Sequence, residues 1–116
     1  MNILKIYPED ASKKTRYDLT MSPKMGNMKS LKGSTLAVAA WCKYEDLDAK
    51  TGELRPILTI KTPEGEVYGT NSATFIADFE AMTDMFGPGG VDVLEIISGT
   101  SKAGREFITC AYAGED

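Results

Sequence analysis

Apolar and polar positions alternate in short runs along most of the chain, and one longer stretch breaks into a helical period. Ile3-Leu4-Lys5-Ile6-Tyr7 predicts a first strand, ended by Pro8. EDASKKTR is polar and reads as a mobile connection, and YDLTMSPKMGNMKSLKGS reads as irregular, with breakers at Ser22-Pro23 and Gly26-Asn27. Residues 35–44, TLAVAAWCKY, predict one long strand. RPILTIKT predicts a second, with Pro56 tolerated only at its start, and Glu64-Gly65 turns it into EVYGT as a hairpin. In NSATFIADFEAMTDMFG, Phe75, Phe79, Met82 and Phe86 recur on one helical face, widened by Ile76 and Thr83. Asn71 or Ser72 caps this helix, and Gly87-Pro88-Gly89-Gly90 stops it. VDVLEIIS and REFITCAYA predict two further strands joined by GTSKAG.

The expected fold is therefore mainly β with one helix. Residues 35–116 read as an OB-fold-like five-stranded barrel with the helix between strands three and four. Residues 1–34 form a basic, methionine-rich lead-in, the whole making a single domain. Other α+β proteins share this element order, so function must come from the residues.

Strand alternation places Leu36, Val38, Ala40 and Cys42 in the core, which turns Trp41 and Lys43 to the opposite face. Leu58 and Ile60 inward leave Thr59 and Lys61 outward, with Arg55 near the start of that strand; Val67 inward leaves Tyr68 outward. Trp41, Lys43, Thr59, Lys61 and Tyr68 would then share one concave surface, suited to stacking bases beside phosphate contacts. Trp41 has a second reading, packed beneath the lead-in. Ile108 and Cys110 suit the core, so Phe107 and Thr109 face away, with Arg105 on the side of Phe107 and Lys102 in the preceding turn. Tyr112 reads as closing the barrel. Lys24 and Lys29 sit among Met21, Met25 and Met28, which read as a flap over the groove or as caps on an open barrel end.

Charge sharpens this picture. The net charge is −4, but the distribution is uneven: eight basic and three acidic residues up to position 43, then five basic and fourteen acidic. That asymmetry can build a basic face on an acidic molecule, or simply a solvated surface. The chain has no histidine, which removes the usual general base and commonest metal ligand, and no catalytic constellation replaces it; neither an enzyme nor a metal or cofactor site is expected. The spacing of Cys42 and Cys110 carries no disulfide or metal signature. No apolar run is long enough to span a membrane and the N-terminus lacks the apolar centre of a signal peptide, so the expected location is the cytoplasm, the host's if the chain is phage-encoded.

LTMSP, MKSL, AWCKYED, ILTIKTPEGEVYGTNSATFIADF and ISGTSKAGREFITC together resemble the small single-stranded DNA-binding proteins of tailed bacteriophages, over residues 17–113. The strongest elements are TPEGEVYGTNSATF and SGTSKAGREFITC. The resemblance implies an OB-like barrel that coats single strands in phage DNA replication and recombination. DNA or RNA, replication proteins and further copies of the chain are the partners it admits, with no membrane. Cellular proteins of this functional class carry a long acidic tail; here only Gly114-Glu115-Asp116 follow the last predicted strand, so recruitment through a tail is not expected. The competing expectation is a protein–protein interaction module, such as a phage-encoded inhibitor of a host protein, its acidic surface mimicking nucleic acid.

Overall fold

In the computed structural model, which describes residues 1–114, eight strands form two sheets and two helices pack against them. Glu115 and Asp116, on which the tail expectation rests, lie outside the described residues. The strands are β1 (Asn2–Tyr7), β2 (Gly26–Asn27), β3 (Thr35–Ala37), β4 (Ala40–Leu47), β5 (Leu54–Lys61), β6 (Val67–Thr70), β7 (Val93–Thr100) and β8 (Glu106–Tyr112). Helix α1 is Lys13–Met21, helix α2 is Ala73–Phe86, and a 3-10 turn covers Met28–Leu31. One sheet has the order β1-β4-β5-β6-β2 and the other β3-β7-β8; they are not closed into a barrel. Among the described residues no helix is long and apolar enough to cross a membrane.

The mainly β expectation holds, with two corrections to the elements. Residues 35–44 are two strands rather than one. The chain leaves the ladder at Val38 and Ala39, so β3 pairs with β7 while β4 pairs with β5. The second correction is α1, in a segment read as mobile and irregular. Ser12 caps it by accepting from the Thr15 backbone N–H, and Lys14 pairs with Asp18 one turn on.

The break at Val38 changes which side chains face the main core. Leu36 lies in the cluster built on Phe75, Phe79, Leu94 and Ile96, and Val38 packs against it. Beyond the break Trp41 takes that side, while Ala40, Cys42 and Tyr44 face a second cluster around Leu19 of α1. β4 and β5 are therefore covered on both faces. Successive residues Leu58, Thr59 and Ile60 are all fully buried, and period-two alternation of burial disappears.

Helix α2 follows its expected stripe at one end only. Phe75, Ile76, Phe79 and Thr83 are buried, whereas Phe86 is exposed, its ring 5.3 Å from that of Tyr112. Tyr112 donates to Asp92 and lies on the surface rather than closing a barrel. Ser72, the expected cap, accepts from the Phe75 N–H and donates to the Ile108 carbonyl, as does Thr74, which ties the start of α2 to β8. Met28 is fully buried and joins the main core from the lead-in, while Met21 is exposed.

Candidate nucleic-acid interface

The concave surface expected from strand alternation is divided between two sides of one sheet. Antiparallel register sets Trp41 opposite Ile60 and Lys43 opposite Leu58, on the side facing α2. Cys42 stands opposite Thr59 and Ala40 opposite Lys61, on the side facing α1.

Each member then has a structural occupation. Trp41 is only 4% exposed; its indole N–H donates to the Pro88 carbonyl at 2.9 Å, and its ring meets Phe79 edge-on at 5.2 Å. It packs beneath the end of α2 and beside Tyr7 of the lead-in, its register partner in β1, so it is not a surface stacking platform. Lys43 pairs with Glu80 of α2 at 2.8 Å. Thr59 is fully buried and donates to the Leu19 carbonyl at 2.7 Å, tying α1 to β5. Lys61 pairs with Asp18 at 3.0 Å, and Arg55 pairs with Asp48 at 2.8 Å. Tyr68 is opposite Ile60 and half-buried against the main core, the reverse of the expected outward placement, and its hydroxyl donates to Glu66.

The titration shifts have the same origin. Hydrogen bonds from Lys61 and then Lys14 hold the Asp18 carboxyl below its ordinary range, against a smaller opposing effect of desolvation. Lys32 does the same to Glu106, across a 2.8 Å pair. The Glu66 carboxylate raises the Tyr68 phenol. Burial pushes the Cys42 thiol up to about 11 and the Cys110 thiol up to about 12, and both cysteines are unpaired.

The remaining predicted residues gather elsewhere. Phe107 is half-buried on the outer side of β8, directly across the ladder from Gly99. A Cβ at position 99 would come within 2.7 Å of the Phe107 ring, so glycine there lets the ring lie flat on the strand. Phe107, Asn27, Lys29, Asn71 and Ser101 line a groove of about 550 Å³ where the lead-in passes the start of α2. Lys102 and Arg105 stand on the turn between Ser101 and Glu106, both of which border this groove. Ser101 organises that turn: its hydroxyl accepts from the Arg105 N–H and its carbonyl from Gly104, whose φ of +80° suits glycine.

Across β2, a second groove of about 460 Å³ is lined by Lys14, Lys24, Gly26, Lys61, Glu66 and Tyr68. Lys24, Lys29, Lys102 and Arg105 are exposed and form no ion pair among the described residues, in contrast to Lys43, Lys61 and Arg55. A further concavity of about 710 Å³ lies by the C-terminal end of α2, beside Lys5, Tyr7, Glu9, Asp84 and Pro88.

Sequence reasoning missed the carboxylates that occupy the cations, chiefly Asp18 and Glu80, and the polar groove residues Asn27, Asn71 and Ser101. The Lys14–Asp18 spacing behind a Ser12 cap was the one local signal that α1 existed. Comparison with known proteins returned no match to any family model, curated protein or solved structure.

Proposed function

We propose that this protein binds single-stranded DNA without sequence preference, coating it during phage DNA replication and recombination. The observation that carries the reading is the groove under the Ser101–Glu106 turn. It offers one partly exposed aromatic ring, Phe107, with Lys29, Asn27, Asn71, Ser101 and the Lys32-paired Glu106 in its lining, and Lys102 and Arg105 on the turn that borders it. A ring takes any base by stacking and the cations meet phosphates, an arrangement indifferent to sequence.

An OB-like architecture supports the same reading. If β3 and β4 are taken as the two halves of one bent strand, the pairing runs β6-β5-β4 and then β3-β7-β8, with α2 between β6 and β7. That order is what an OB barrel opened between its third and fifth strands would have, and on that reading the turn carrying Lys102 and Arg105 takes the place of one of the two loops with which such barrels grip oligonucleotides. The interface proposed is thus Lys24, Lys29, Lys102, Arg105 and Phe107, with Tyr68 at the second groove. Fluorescence anisotropy with labelled oligo(dT), with oligo(U) as competitor, tests it: Lys102→Ala with Arg105→Ala should weaken binding while the fold stays intact, and unchanged affinity contradicts the site.

A protein-binding module is the second reading. It is favoured by exposed Met85 and Phe86 beside Tyr112, with Asp84 and Asp92 on the same segment. Nuclease-resistant capture of a host protein, lost in Phe86→Ala, would support it.

A further inference from the structure

We infer that α1 is a displaceable lid over a second strand-binding subsite on β4 and β5, and that Asp18 occupies the phosphate position of that subsite. The inference rests on the single-stranded DNA reading. It concerns the sheet face opposite α2, where Tyr44, Thr59 and Lys61 lie beside the small residues Ala40 and Cys42. An aromatic ring, a hydroxyl and a lysine spaced about 13 Å along the strands have the chemistry to take a short stretch of single strand: ring on one base, ammonium on a phosphate further along. Leu19 of α1 covers its middle, and Ile6 and Met25 pack at its margins.

The cover is lightly fastened. Of the nine residues in α1, only Asp18 and Leu19 are buried, and Tyr17 and Met21 on the same helix are exposed. The fastenings are the Leu19 side chain in the cluster, the Thr59 hydroxyl on the Leu19 carbonyl at 2.7 Å, and Asp18 on Lys61 at 3.0 Å. A helix this short is marginal without tertiary contacts. The lid is also basic, since Lys13, Lys14 and Arg16 outnumber Asp18. A strand phosphate replacing the Asp18 carboxylate would take over Lys61, whose ammonium already holds that carboxylate at 3.0 Å, while Lys14 leaves with the lid.

The apparent affinity of such a protein is its intrinsic affinity multiplied by the fraction with the lid open. Asp18→Asn keeps the shape of the side chain and removes its charge, so the lid should open more often. Asp78→Asn, on the exposed side of α2, makes the same change in net charge away from the subsite and is the control. In oligo(dT) titrations Asp18→Asn should bind roughly threefold to tenfold more tightly than Asp78→Asn. Cys42, fully buried under the lid, reports opening without DNA: alkylation should accelerate in Asp18→Asn, while Cys110, outside the lid's cluster, keeps its rate. If oligo(dT) binds but Asp18→Asn matches the control in affinity and in Cys42 alkylation, the lid is overturned and the groove reading survives. If no variant binds oligo(dT), the DNA reading falls, and the lid built on it falls too.

Discussion

Replacing Trp41 with phenylalanine separates a buried structural role from a stacking role. The indole N–H donates to the Pro88 carbonyl at 2.9 Å, and losing that bond costs about 1 kcal/mol net. The smaller ring buries roughly 40 Å² less apolar surface, worth about 1 kcal/mol at the usual 25 cal/mol per Å². A cavity against Phe79 adds some fraction of a kcal/mol, for a total of about 2–3 kcal/mol. With an unfolding entropy of about 2.1 cal/mol/K per residue over 116 residues, this lowers Tm by about 8–12 °C. Differential scanning calorimetry reads the stability and anisotropy with oligo(dT) reads binding below the transition. Binding should change less than about twofold, since a ring 4% exposed does not reach a base. A Tm within about 3 °C of wild type, together with a large loss of affinity, would refute the burial assigned to Trp41 and restore it as a stacking residue.

Other consequences follow from the same geometry. Lys102→Ala with Arg105→Ala should leave Tm within about 2 °C, because both side chains are exposed, and should reduce the salt slope of oligo(dT) binding by about 1.4, the effect of two lost phosphate contacts. Phe107→Leu, which keeps an apolar cover over Gly99, should weaken oligo(dT) binding by about tenfold, near one stacked base; equal affinity would remove Phe107 from the site. Asp18 and Glu106 both have depressed carboxyl pKa values, so the stability they contribute is fully present above the ordinary values of 3.8 and 4.5 and is lost as pH falls through the lower folded-state values. Thermal melts across that acid range should therefore show a shallower fall for Asp18→Asn than for wild type, and parallel curves would contradict the Lys61 pairing. Burial holds both thiols protonated at neutral pH, so alkylation of the native protein should be slow, with Cys110, outside the α1 cluster, slower than Cys42.

Where local sequence carried the instruction, the fold was legible. The Phe75–Phe79 spacing with Ser72 before it and Gly87 after it located α2, and the turns at Glu64-Gly65 and Lys102–Gly104 located two hairpins. The break between β3 and β4 was not legible, because Val38 and Ala39 are ordinary strand residues and the chain bends there to serve two sheets. That one break inverted the assignment of Trp41. The double burial of β5 was equally hidden, since Thr59 looks like a solvent-facing residue until α1 supplies the carbonyl it donates to. Lys43 and Lys61 were correctly placed on strands, but their carboxylate partners lie 37 and 43 residues away in sequence. Lys102 and Arg105 stand exposed and Phe107 half-buried where local sequence put them, because they sit within one turn and the strand that follows it.

The central proposal is that the exposed cations bordering the two grooves, Lys29, Lys102 and Arg105 near Phe107 and Lys24 across β2, together hold a polyanion. It is tested most directly by measuring oligo(dT) affinity as salt is raised from about 50 mM to about 200 mM. If Lys24, Lys29, Lys102 and Arg105 each meet a phosphate, log K should fall against log salt with a slope of about −3. Binding whose slope is near zero, or no binding at the lowest salt, would contradict it.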